Sequence, residues 1–413
     1  MAGLVVNNAR YLDPVSGELR PDTSVRAEGD RVVEVSEGPL TTDASDVLVI
    51  DAGGRTLLPG LIDAHVHALV ATLEMGTAVT MPATRIGIEA KVILERMLRR
   101  GFTTVRDAGG LDRGVADALR LGLIDGPRAF RSGRVLSQTG GHGDYTHHDD
   151  NAPLCGCGIG TTMVSRIADG PAAVRRAARE ELKDGVDQIK LMAGGGVASP
   201  TDVIDMVQYT EEEMRAAVVE ASNRRTYAMA HAYVPEAITQ AVNAGVRSIE
   251  HGCLLDDASA RLMAQKGAYL VPTMVIYQQL KQFGRKFNFP SESMAKLDFV
   301  VDESNKAVET ALRAGVPLGF GTDLLGETHD AQSDEFVLRG VVQPEVDVIR
   351  SATIVNAEIL GRSDDLGEVK PGAFADLLLV DGNPLDDLSL LGGQGDHLDL
   401  IVRAGKIIEN RIR

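Results

Sequence analysis

The stretch "LIDAHVH", residues 61–67, closes an apolar run with two histidines two positions apart. Neighbours at that spacing on a strand project to one side, so His65 and His67 would face the same space. A lone pair of this kind is equally compatible with packed or exposed histidines. Three other apolar runs end in the same way: "AMAHAY" in His231, "SIEHG" in His251 and "GFGTD" in Asp323. Imidazole and carboxylate are the ligands that zinc and similar divalent ions take. "GVDQIKLMAGGG", residues 185–196, adds Lys190 among apolar neighbours, just before three glycines. An ammonium buried there is costly unless it is paired or neutralised.

These residues must be carried by elements that converge. Candidate strands lie at 57–67, 103–108, 129–136, 187–193, 227–232, 247–251, 269–276 and 317–322. Between them run helix-like stretches such as "RIGIEAKVILERMLRRG", "PAAVRRAAREELKDG" and "TEEEMRAAVVEASNR". Several of these stretches end at glycine, and "TEEE" has the acids of a capped start. Eight strand–helix units over about 300 residues predict an α/β fold of the (β/α)8 TIM-barrel type. An open doubly wound sheet is the alternative, but it would normally carry a glycine-rich phosphate loop after its first strand, where this chain has histidines. His65, His67, His231, His251 and Asp323 would then stand at the C-terminal ends of strands 1, 5, 6 and 8, where barrel enzymes build their sites. The chain ends read differently, as short β-like pieces ("GLVVNNARYLDP", "FADLLLVDGNPLDD", "LDLIVRAGKIIENR"). They predict a small β-sandwich domain from 1–59 and 364–413, flanking a barrel over 60–363.

The formal net charge of −17 over 413 residues excludes a phosphate backbone or an anionic membrane as the natural partner. There is no run of about 18 uncharged apolar residues, so no membrane span is expected. The N-terminus lacks the basic and apolar regions of a signal peptide. Cys155, Cys157 and Cys253 make no disulfide framework, and an odd count suits a reducing compartment. A cytoplasmic protein is expected.

The chain resembles the amidohydrolase superfamily over nearly its whole length. "LLPGLIDAHVH", "GFTTVRDAGG", "SIEHG", "GTD" and "GEVKPGAFADLLLVDGNPLDD" are similar to the signatures of that superfamily. "TGGHGD", "QIKLMAGGGVASPTD" and "EHGCLLDDASARLMAQKGAYLVPT" resemble a narrower branch. That branch holds metal-dependent Xaa-Pro and Xaa-Arg dipeptidases (carboxypeptidases) and imidazolonepropionase-like proteins. It also holds hydrolases of carbamates, N-acyl mycotoxins and herbicides.

The resemblance implies an N-carboxylated Lys190 whose carbamate bridges two divalent metal ions, zinc being the favoured identity. That would resolve the buried charge, since the carbamate is anionic and the two ions neutralise it. An ordinary ammonium reaching the rim is the alternative. By the same resemblance His65, His67 and Asp323 hold one ion and His231 and His251 the other. Such a pair activates water and polarises a carbonyl. Asp323 is the expected general base, passing the water's proton to the leaving amine.

His142 sits in the glycine-flanked "TGGHGD" and could polarise the carbonyl or stabilise the oxyanion; an exposed loop histidine is the competing reading. Tyr233, two residues after His231, could bind a substrate carboxylate or the oxyanion, or simply pack at the rim. His329 is a substrate-contact candidate set against a solvated loop histidine. "THHDDNAPLCGCG" contains His147, His148, Cys155 and Cys157 but no closed tetrahedral spacing, so it is expected to be a covering loop without a metal. The glycines at 194–196 are expected to give backbone room at the mouth.

The expected activity is hydrolysis of a small-molecule amide, with a dipeptide or N-acyl amino acid bearing a free carboxylate favoured. Carbamate, urea or N-acyl xenobiotic hydrolysis and cyclic amide hydrolysis are the alternatives. Specificity is expected in loops 138–165 and 324–343, and a homo-oligomer is expected. A non-catalytic relative would have lost ligands, and here all six are present.

Overall fold

The computed structural model of this protein describes residues 3–73, 81–145, 164–197, 202–286 and 291–412. The N-terminal residues form β1 (Gly3–Leu12), β2 (Leu19–Glu28), β3 (Arg31–Glu37), β4 (Val47–Asp51) and β5 (Thr56–Pro59). β1 pairs antiparallel with β2 and parallel with β4 and β5.

The next strands are parallel. β6 (Leu61–Val66), β7 (Phe102–Asp107) and β8 (Arg128–Arg131) make one sheet. β9 (Val135–Ser137), β10 (Ser165–Ile167), β11 (Ile189–Met192), β12 (Ala228–Ala232), β13 (Ser248–His251) and β14 (Tyr269–Val271) make a second, in the order β10-β9-β11-β12-β13-β14. Every residue of β11, β12 and β13 is buried, as in parallel sheets covered on both faces.

Helices separate the strands: α1 (Ala83–Arg99), α2 (Arg113–Arg120), α3 (Pro171–Lys183), α4 (Glu211–Asn223), α5 (Pro235–Ala244), α6 (Asp257–Lys266), α7 (Met274–Lys286) and α8 (Ser291–Ala314). The expected stop and start signals operate. α5 and α6 end at Gly245 and Gly267 in left-handed conformation, and Thr210 and Glu213 form a capping box on α4.

Backbone bonds connect the two parallel sheets. Gly319 N donates to Leu270 O and Ala64 N to Phe320 O, each at 2.8 Å, so residues 318–320 lie between β14 and β6. On the other side Asp187 N donates to Arg131 O at 2.8 Å.

Four expected strands need correction. The run 317–322 forms no strand: Leu318 makes only an isolated bridge to Leu270, since Gly319 and Gly321 give the run few side chains to pack. The run 57–67 is two elements in different sheets, β5 and β6, divided at Gly60. A Cβ on Gly60 would lie 2.0 Å from Thr103 Oγ1, so the chain turns where only glycine fits. The run 129–136 is likewise divided, into β8 and β9. The run 269–276 stops as a strand at Val271, and its remaining apolar residues open α7, because a short apolar stretch has no period that separates strand from buried helix.

After α9 (Asp334–Gly340) and α10 (Glu345–Arg350), the chain returns in β15 (Leu377–Val380), β16 (Leu398–Arg403) and β17 (Lys406–Asn410). β15 pairs antiparallel with β5, placing Leu378 opposite Leu58. The two chain ends therefore share one eight-stranded sheet, β17-β16-β15-β5-β1-β2-β3 with β4 beside β1. Leu4, Val6, Val25, Leu57, Leu377, Leu400 and Val402 form its core.

Candidate metal centre and active site

Each residue singled out at a strand end reaches one place. His65 lies on β6, His231 on β12 and His251 ends β13, while Lys190 lies on β11 beside Met229 of β12. Asp323 follows residues 318–320, and its backbone N–H donates to His65 O at 2.8 Å. Asp323 Oδ1 is 3.2 Å from His65 Nε2 and 3.1 Å from His67 Nε2. One ligand atom from each of His65, His67 and Asp323 falls within 4.8 Å of the others. The His251 ring is 5.0 Å from that of His65 and 4.5 Å from that of His231, so the second pair of imidazoles adjoins the first. His251 (φ 75°) and Asp323 (φ 55°) both hold left-handed backbone conformations, which non-glycine residues keep only where their surroundings impose it.

Hydrogen bonds set which ring nitrogen faces the centre. His65 Nδ1 is 2.8 Å from Glu250 Oε2, and His67 Nδ1 is 2.7 Å from the Gly109 carbonyl. His231 Nε2 is 2.9 Å from the Gly195 carbonyl. A carbonyl or carboxylate only accepts, so these nitrogens are donors to their partners, which leaves the opposite nitrogen of each ring on the side of the centre. His65 Nε2 and His67 Nε2 both face Asp323 Oδ1, so the three side chains converge as the donors of one ion must. His251 Nδ1 meets Thr273 Oγ1 at 2.7 Å, a hydroxyl that can give or take a proton. Glu250 is itself held from behind. Arg106 Nη2 donates to its two oxygens at 2.9 and 3.0 Å, and Ser248 Oγ donates at 2.6 Å, all fully buried.

Lys190 is 1% exposed, and no described residue bonds its ammonium. Burial pulls that ammonium down to about 8, against the opposing charges of Glu250 and Asp323. Burial pushes the Asp323 carboxyl up, but His65 and His67 outweigh it and hold it well below the usual carboxylate range. The set of donors, lone pairs and one ionised carboxylate fits divalent metal.

The second tier of expected residues divides. His142 is buried beside His231, ring centroids 4.3 Å apart and nearly parallel, so an exposed loop histidine is ruled out. Its Nδ1 lies 3.1 Å from Asp202 Oδ2, and its backbone N–H donates to Gln208 Oε1 at 2.8 Å. A Cβ on Gly196 would fall 2.2 Å from the His142 ring, so the glycine run does supply close backbone approach. Tyr233 is buried 4.8 Å from the His231 ring and bonded to Tyr277.

His329 is neither solvated nor among these rings. It is buried, with Nε2 3.1 Å from the Val70 carbonyl, and its own carbonyl accepts from Arg100 at 3.0 Å. His147, His148, Cys155 and Cys157 lie outside the described residues. Sequence reasoning missed Glu250, Arg106, Asp202, Thr273, Tyr277 and Tyr145, the last near enough to Asp323 and Asp202 to feel both charges. Only Glu250 carried a local signal, as the acid beside His251 in "SIEHG".

A family model described as the amidohydrolase family matches residues 56–408. The crystal structure of an amidohydrolase superposes with a TM-score of 0.96 at 48% identity, covering 100% of both chains. That of a prolidase complexed with N-methylphosphonate-L-proline gives 0.95 at 44% identity, covering 99% of this chain and 100% of the other. Ochratoxinase from Aspergillus niger is 32% identical over 348 residues, 81% of this chain and 72% of the fungal one.

Proposed function

This chain belongs to the amidohydrolase family and hydrolyses small-molecule amides; within that activity we propose that its substrate is a dipeptide or N-acyl amino acid with a free carboxylate. The observation behind the chemistry is the meeting of His65, His67 and Asp323 within 4.8 Å, with the outer ring nitrogens of both histidines already committed. His65, His67 and Asp323 would hold one divalent ion and His231 and His251 a second. Lys190, N-carboxylated, would span them, and zinc suits this nitrogen and oxygen set. Bound there, such ions supply Lewis acidity to an amide carbonyl and lower the pKa of a water.

The chain's own residues do the rest. Asp323, kept ionised by His65 and His67, accepts a proton from the water and returns it to the departing amine. Without that proton the amine would leave as an anion, a very poor leaving group. Glu250 and the Gly109 and Gly195 carbonyls keep the imidazoles turned for binding. His142 and Tyr233 flank His231 and supply polar contacts for the carbonyl oxygen and the carboxylate. Likeness to a prolidase at 44% identity supports the carboxylate-bearing class.

The same reading extends to architecture. The two parallel sheets, joined through residues 318–320, are taken as a (β/α)8 barrel over 60–363, and the chain-end sheet over 1–59 and 364–413 as a β-sandwich domain. A cytoplasmic homo-oligomer remains part of it; among the described residues no helix is long and apolar enough to cross a membrane.

A panel of dipeptides and N-acyl amino acids, each run beside its C-terminal amide and assayed for amine release, tests the substrate class. Free acids should show the higher kcat/KM, because a site built for that charge is left unpaired by the amide. Equal rates would favour a second reading, hydrolysis of carbamates, ureas or N-acyl xenobiotics.

A further inference from the structure

We propose that Cys253 and Tyr277 are positioning residues that turn the Tyr233 hydroxyl proton into the substrate space. The proposal rests on the reading that Tyr233 meets the substrate's carboxylate. Tyr233 follows β12, Cys253 follows β13 and Tyr277 lies in the first turn of α7, so three successive strand ends meet here. Cys253 Sγ is 3.1 Å from the Tyr277 hydroxyl, which is 3.2 Å from the Tyr233 hydroxyl. All three are buried, among Ile204, Val275, Ile276, Leu280 and Leu324.

Three groups with one proton each share two gaps, so one proton is left over. A thiol is a weak acceptor and a phenol oxygen a better one. Cys253 S–H therefore donates to the Tyr277 oxygen, and Tyr277 O–H donates to the Tyr233 oxygen. The leftover proton is that of Tyr233. It turns away from the chain, to the side where the His231 and His251 rings lie 4.8 and 5.4 Å from its own ring. A hydroxyl that already accepts a hydrogen bond is also polarised into a stronger donor. Tyr233 thus meets the substrate as a fixed donor, and a donor favours a carboxylate over a neutral acceptor.

The test compares kcat/KM of the metal-loaded enzyme for alanyl-proline and for alanyl-prolinamide. Tyr277→Phe should lower the acid-to-amide ratio by about fivefold, the scale of one neutral hydrogen bond. Cys253→Ala should lower it by about twofold, and Cys253→Ser, whose hydroxyl also donates, should restore it. An unchanged ratio in Tyr277→Phe, or a loss in Cys253→Ser equal to that in Cys253→Ala, would overturn the relay. A wild-type enzyme that treats acid and amide alike would overturn the carboxylate reading instead. Neutron diffraction on deuterium-exchanged wild-type crystals tests the direction without any substrate. The deuteron between the two phenol oxygens should belong to Tyr277, and one belonging to Tyr233 would overturn the relay.

Discussion

The proposed function gives Asp323 two tasks in one carboxylate, ligand and base, and its replacement separates them. Asp323→Asn keeps the shape and removes the base, so turnover should fall by about 10²–10⁴-fold while the histidines and Lys190 retain much of the metal. Near-wild-type turnover would move proton transfer elsewhere, with His142 the next residue to examine. Lys190 is the complementary case: it is buried, and the proposed function makes it a ligand. Lys190→Ala should bring elemental analysis down from about two divalent ions per chain, the number two-metal hydrolytic sites carry. Added short carboxylic acids should restore part of the activity by standing where the carbamate stood. An unchanged metal content would remove Lys190 from the ligand set.

At the scale of elements, strand ends hold the candidate site residues and the surrounding helices bury what fixes them. α9 illustrates this with Glu335, fully buried, whose Oε2 accepts from Val275 N at 2.7 Å at the start of α7. Burial raises the Glu335 carboxyl to about 8, with Arg339 opposing. The folded state therefore binds this proton more tightly than the unfolded chain, whose carboxyl titrates near 4.5. The resulting stability is complete below the unfolded value and is lost as pH rises towards about 8. Thermal midpoints should fall between pH 5 and pH 8 in the wild type, and fall less in Glu335→Gln, which has no proton to lose. Parallel slopes in the two proteins would show that Glu335 does not titrate in that window.

At the scale of the molecule, the site depends on a sheet that contributes none of its ligands. β5 enters β6 through Gly60, and β15 holds β5 from the other end of the chain. Arg55 and Asp399, 2.6 Å apart, tie the same two ends. Truncation after His397 would remove the buried Leu398, Leu400, Ile401 and Val402. At about 1.5–3 kcal/mol each, their loss is comparable with the about 5–15 kcal/mol that holds a typical domain folded. The truncated protein should therefore lack a cooperative thermal transition by circular dichroism, and a wild-type-like transition would show that the sheet is dispensable.

The candidate ligands at the strand ends were legible in the sequence because side-chain chemistry and a period of two are local properties. Spacing put His65 and His67 on one face, and it took His231, His251 and Asp323 after other apolar runs, together with the family resemblance, to read them as ligands. Lys190 was legible as a buried charge in want of a partner. The residues that aim these ligands were not legible. Glu250 reaches His65 across 185 positions, Arg106 reaches Glu250 across 144, and Tyr277 reaches Tyr233 across 44. A hydrogen bond depends on distances of about 3 Å and on orientation, and no local pattern records which distant strand ends come that close. His329 shows the same limit: its polar neighbours read as a solvated loop, and only packing beneath residue 70 buried it. Local chemistry determined which residues could bind and react, and tertiary contact alone decided which nitrogen, proton and face each one presents.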